Sequence, residues 1–147
     1  MIAERQSVHV PERMCEAYDY ASPVAFSRGM AVCLPGGARM VFVSGTASVG
    51  PDGRSLHPGD FEAQARRAYE NARAVLRAAG ADWADVVKAT VYLKDIRRDY
   101  HLFNDIRNQY FREMGLRTFP ASTCVEARLC REDLLVEMEL VAMVSAA

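Results

Sequence analysis

Apolar positions along the chain change period several times, and each change marks an element. Phe26 to Val32 and Met40 to Ser44 suit strands and flank the turn formers Pro35, Gly36 and Gly37, which predicts a β-hairpin. Ser44, Gly45 and Thr46 end the second strand, and the turn Pro51 to Gly53 opens a polar loop that runs to Gly59. Helical spacing follows, with Phe61, Ala65, Ala68, Ala72, Val75, Leu76 and Ala79 on one face, Asp60 as N-cap and Gly80 as the stop. Val86 to Asp95 is β-branched and aromatic and reads as a central strand. A second amphipathic helix is expected from a cap at Asp99 to Gly115, burying Tyr100, Phe103, Ile106, Tyr110 and Phe111. Beyond Pro120, Ala121 to Arg128 and Leu134 to Val144 read as the two strands of a hairpin, joined by a charged loop with Arg131, Glu132 and Asp133.

Residues 1–22 show no sustained period and finish in an aromatic stretch, Tyr18 to Tyr20. They read as an extension that packs on the domain or on a neighbouring subunit, and residues 23–147 as a single domain. The element order is then β-β-α-β-α-β-β, an α+β fold with one mixed sheet. Right-handed crossovers return both helices to the same side of such a sheet. Nothing in the chain is left to cover the other side, so self-association through the open face is expected.

Composition agrees with this picture and narrows the partners. The chain has 147 residues, half of them apolar and a quarter charged, as in an ordinary globular domain that buries its core without a disulfide scaffold. A net charge of -1 gives no basic excess for phosphate backbones, so nucleic acid is not expected as the main partner. No segment reads as a membrane span, and the charged N-terminus lacks the apolar run of a signal peptide, so a cytoplasmic location is expected. Cys15, Cys33, Cys124 and Cys130 match no zinc spacing and are read as reduced thiols, and His9, His57 and His101 are scattered. Neither a metal nor an organic cofactor is expected.

Candidate chemistry concentrates in the last two strands. A period of two puts Ser122, Cys124, Glu126 and Arg128 on one face. In the final strand Glu137 and Glu139 share a face with Leu135, Val141 and Met143, opposite the unbroken apolar set Leu134, Val136, Met138, Leu140 and Ala142. Carboxylates flanked in this way are costly to bury unless paired or functional. Their bland reading is an exposed face or an interface ion pair with Arg128 or Arg131; their functional reading is general acid/base work by Glu137 or Glu126. Cys124 has no neighbouring histidine in sequence and reads first as a small core residue. Gly45, between Ser44 and Thr46 at a strand end, offers backbone N–H groups to an anion or carbonyl, and equally reads as an everyday turn.

The segments SGTASVGPDG (Ser44 to Gly53), AQARRAYENARAVLRAAGADWADVVKATVYLKDI (Ala63 to Ile96), FNDIRNQYF (Phe103 to Phe111) and FPASTCVEARL (Phe119 to Leu129), with LLVEMELVAM after them, resemble the Rid/YjgF family over about Pro23 to Val144. The resemblance implies a chorismate-mutase-like fold, a homotrimer with small-molecule clefts between subunits, and cofactor-free hydrolysis of enamines and imines to carbonyl compounds and ammonia. It assigns substrate contacts to Ser44, Gly45, Asn104 and Cys124, water positioning to Glu137, and the N-terminal aromatic to Phe26. The family motif Pro-Ala-Arg-Ser-Cys-Val-Glu, whose arginine clamps the substrate carboxylate, reads here Pro120, Ala121, Ser122, Thr123, Cys124, Val125, Glu126. A hydroxyl cannot replace a bidentate, permanently charged clamp, which implies an altered substrate unless Arg28 or Arg128 supplies the charge. A hydrolase or lyase of a biosynthetic intermediate, chorismatase-like, and a ligand-binding trimer without turnover are the alternatives.

Overall fold

A computed structural model describes residues 3–146; residues 1, 2 and 147, at the ends of the two expected spans, lie outside the described residues. Strands β1 (Arg5–Val8), β2 (Gly29–Cys33), β3 (Arg39–Ala47), β4 (Val86–Leu93), β5 (Ala121–Glu126) and β6 (Val136–Val144) form one sheet in the order β1-β2-β3-β6-β4-β5. Helices α1 (Phe61–Ala78) and α2 (Ile96–Glu113) pack on it and on each other. The sheet is mixed, because β4 and β5 run parallel while the other pairs are antiparallel.

α1 forms where its pattern predicts. The Asp60 side chain accepts from Ala63 N at 3.0 Å, and every position of the expected apolar face is buried. Two polar residues of α1 lie in that buried face and fix the ends of the strands beneath it. Gln64 donates to the carbonyls of His57 and Asp133 and accepts from Leu135 N at 2.8 Å, while Asn71 donates to the carbonyls of Ala47 and Val49. The end of β3 and the start of β6 are thus tied to one helix.

Several expectations need correction. The cap of α2 is Asp95, which accepts from Arg98 N; Asp99 lies a turn inside, buried and accepting from Nε and Nη2 of Arg98. Tyr100 consequently points outward, 42% exposed. Phe26 precedes β2 instead of opening it, and Arg28 is the last residue before that strand. The last two strands end sooner and start later than expected, and they do not pair: β5 lies parallel to β4 after the α2 crossover, and β6 inserts between β3 and β4. Burial explains the order. Val136, Met138, Leu140 and Ala142 are 0–2% exposed and need neighbours on both sides, whereas β5 is exposed at nearly every position and suits an edge. The added strand β1 was invisible to periodicity because only Val8 of its residues is buried.

Both helices lie on the sheet face that carries Val41, Val43, Ala89, Val91 and Met138. The other face bears Met30, Phe42, Thr90, Tyr92, Glu139 and Met143, with Phe42 40% and Met143 46% exposed. Among the described residues no helix is long and apolar enough to cross a membrane.

Candidate functional site

The sequence-predicted site residues fall into two groups on opposite faces of the sheet. The first surrounds Glu137. The register of β3 against β6 slips between Val43 and Thr46, so Ser44 and Gly45 bulge out beside Glu137. Ser44 Oγ donates to Ser27 O at 2.6 Å and Thr46 Oγ1 donates to Ser44 O at 2.7 Å, so both hydroxyls hold the bulge in shape. Gly45 is required for closeness: a Cβ there would stand 2.1 Å from Glu137 Oε1. The carboxylate therefore rests against bare backbone at the wall of a cavity of about 630 Å³, lined also by Tyr20, Phe26, Arg28 and Arg131.

Two cations flank this cavity. Arg28, 3% exposed, donates to Cys15 O and to the Tyr20 hydroxyl, and its guanidinium lies over the rings of Tyr20 and Phe26 at 5.4 and 5.6 Å. Arg131 covers the Tyr20 ring at 5.0 Å and donates to Gly53 O at 2.7 Å. Arg28 is thus committed to holding the N-terminal segment, and Arg131 is the cation whose field acts on Glu137. Burial, with help from Glu139, pushes the Glu137 carboxyl above its ordinary range against the pull of Arg131. Glu139 itself accepts from the Tyr92 hydroxyl at 2.8 Å. Of the two adjacent carboxylates, only Glu137 belongs to the cavity.

The second group lies on the helix face, along β5 and α2. Ser122, Cys124 and Glu126 share that side, as the period of two predicts, because Ser122 pairs with the inward Ala89 and Cys124 with the inward Val91. Glu126 Oε2 accepts from Ile96 N at 3.1 Å, which gives it a capping task at the start of α2. Cys124 is partly buried, and burial raises its thiol pKa while Arg107 opposes the rise. Its thiol form is favoured near neutrality, in keeping with the inert reading. Asn104 Oδ1 accepts from Arg107 Nη2 at 2.6 Å, and Arg107 Nη1 reaches Ser122 Oγ at 3.3 Å. Arg128, on the loop after β5, is exposed and does not line the Glu137 cavity.

Sequence reasoning missed Arg107 and Tyr20. Arg107 stands three positions after Asn104, the spacing that makes side chains neighbours on one helix face, and that was its available signal. Tyr20 brings a hydroxyl into the Glu137 cavity, where Phe26 alone offered none. Among the described residues no cluster of His, Cys, Asp or Glu is arranged to hold a metal ion.

Residues 21–144 match the protein-family profile described as Endoribonuclease L-PSP. The chain belongs to the Rid/YjgF family. Among its relatives, a RutC family protein of Pyrococcus abyssi is 39% identical over 102 residues, covering 69% of this chain and 76% of the relative. The 2-iminobutanoate/2-iminopropanoate deaminase of Escherichia coli K12 is 36% identical over 104 residues, covering 71% of this chain and 79% of the relative. The crystal structure of E. coli TdcF with bound serine has a TM-score of 0.75 at 28% identity and covers 95% of this chain and 99% of that one. That of the E. coli YjgF gene product has a TM-score of 0.72 at 30% identity, with coverages of 93% and 97%. The fold expected for a Rid protein, one mixed sheet with two helices, is the fold observed.

Proposed function

We propose that this Rid protein is a cytoplasmic, cofactor-independent deaminase that hydrolyses enamines or imines to a carbonyl compound and ammonia. Its substrate differs from that of arginine-bearing relatives. The observation that carries the reading is the Glu137 carboxylate, half-buried in a cavity, set against Gly45 and shifted toward a higher pKa. A carboxylate in such surroundings holds its proton more readily than an exposed one, which suits it to general acid/base work. In the proposed reaction Glu137 takes a proton from water as the oxygen attacks the imine carbon. It returns the proton to nitrogen to give a carbinolamine, then carries that intermediate's hydroxyl proton to nitrogen as the C=O bond forms and the C–N bond breaks, which releases ammonia. The name of the E. coli deaminase relative supports this class of reaction.

The reading includes assembly as a homotrimer with the site between copies. Glu137 and the pair Ser122–Cys124 point to opposite faces of one sheet, so a single chain cannot present them to the same small molecule, while a neighbour can. Residues 23–147 form the catalytic unit in this reading, and residues 1–22 are an extension that contributes Tyr20. Imines generated in solution by an amino-acid oxidase provide the test, read as accelerated release of oxo acid in competition with trapping by semicarbazide. Light scattering should give a mass of about three times 16.3 kDa. Glu137→Gln should abolish turnover with the assembly intact, because it keeps shape and removes the proton acceptor. Full activity of that variant, or a monomer in solution, would refute the proposal.

A further inference from the structure

Among the described residues Arg107 is a guanidinium without an acid partner. Among the described residues it joins no salt bridge, and its donors go to the neutral oxygens of Asn104 and Ser122. Its cation lies 5.6 Å from the centre of the Phe103 ring, and Phe103 is fully buried, so the arm is braced along its length. An arginine positioned by neutral acceptors keeps its charge available for an incoming anion.

Arg107 also stands at the rim of a second cavity, about 470 Å³, between α2 and the sheet. Its walls are apolar and aromatic, with Trp83, Val91, Phe111, Phe119 and Met138 among them. Tyr69 closes the inner side. It is 2% exposed, and among the described residues its hydroxyl makes no hydrogen bond to the protein. Phe119 stacks on Phe111 at 6.0 Å and is itself 69% exposed, so the aromatic lining continues to the mouth. Asn108 and a second guanidinium, Arg112, complete the polar part of the lining, and a largely apolar pocket with cations among its walls matches an organic acid with a bulky apolar body. Ser122, on the same rim, is small, and its short side chain leaves the opening clear.

We infer that Arg107 binds the carboxylate of the substrate and that the cavity between α2 and the sheet receives a bulky, aromatic substrate side chain. This rests on the deaminase reading for the word substrate, but the binding itself does not. The preferred substrates are then imines of amino acids with large apolar side chains, and the smallest imino acids leave the cavity unfilled.

Titration calorimetry on the whole protein separates the two claims, with phenylpyruvate, pyruvate and the neutral ketone phenylacetone as probes. Phenylpyruvate should bind at least about tenfold more tightly than either of the others, and Arg107→Gln should weaken it at least about tenfold, with Arg107→Lys between. Ala89→Leu, whose added bulk enters the cavity, should weaken phenylpyruvate more than pyruvate, with thermal melting to check folding. The inference is overturned if Arg107→Gln binds phenylpyruvate like the parent, or if pyruvate or phenylacetone binds as well as phenylpyruvate. Binding in this order without any imine turnover would instead overturn the deaminase reading and leave this one standing.

Discussion

Substituting Gly45 by alanine tests the Glu137 site with a single methyl group. Gly45 is not among the glycines with positive φ, so alanine meets no backbone strain there. The added Cβ would stand 2.1 Å from Glu137 Oε1 and 3.2 Å from Cδ, inside ordinary van der Waals contact. The obstruction is the tip of a flexible side chain, and the carboxylate must retreat by roughly 1 Å or leave its rotamer, at a cost of about 1 kcal/mol. In a chain of 147 residues that lowers Tm by about 3 °C. Activity should suffer far more, because a displacement of about 1 Å at a catalytic group can cost as much as about 100-fold in rate. The assay is kcat/KM for imines made in solution by an amino-acid oxidase, measured beside a thermal melt. Unchanged kcat/KM in Gly45→Ala refutes the argument.

Glu137→Gln should also stabilise the fold in a pH-dependent way. The folded-state pKa of Glu137 lies above its ordinary value of 4.5, so its ionised form is disfavoured in the fold; the penalty is absent below 4.5, grows as pH rises toward the folded pKa and is complete above it. The variant should therefore melt higher than the parent at pH 7 and lose that advantage near pH 4, as read by melting curves across this range. Gln64→Leu should destabilise by about 2–4 kcal/mol in urea titrations, since it orphans the carbonyls of His57 and Asp133 and the amide of Leu135 in one step. A change under about 1 kcal/mol would show that water reaches those groups.

The sequence carried the local elements better than their arrangement. α1 was legible throughout because one cap, one small apolar face and one glycine agree, and because Gly80 does adopt a positive φ of 76°. α2 was legible in its buried face but not in its start: Asp95 and Asp99 are both cap residues one turn apart, and only the extended φ of -136° at Asp95 distinguishes them. Strand order was not legible, since a hairpin and a parallel crossover give β5 and β6 the same alternation and differ only in distant partners. Glu137 was legible as an acid between apolar positions, whereas its environment depends on Gly45, 92 positions earlier, and on a register slip that no local pattern encodes. The residue that bears on the missing clamp, Arg107, was hidden because it comes from a helix and not from the strand position where a guanidinium was sought.

The division of the site between two sheet faces leads to one more prediction. On β4, Ala89 pairs with Ser122 on the helix side, and Tyr92 pairs with Glu137 on the open side. Side chains on opposite faces of a strand diverge, so no rotamer change joins Glu137 and Ser122 within a chain. If each site takes Glu137 from one copy and the β5–α2 edge from the next, two separately inactive variants should repair one another. Glu137→Gln removes the proton acceptor, and Ser122→Glu sets a carboxylate beside Arg107 that occupies the cation and repels an acidic substrate. Refolded together in equal amounts, the variants should form mixed trimers in which roughly a quarter of the interfaces pair an intact Glu137 with an intact Ser122, restoring roughly a quarter of the parental activity. A site complete within one chain predicts no recovery at any mixing ratio, and that outcome would remove the shared site and the reason for assembly with it.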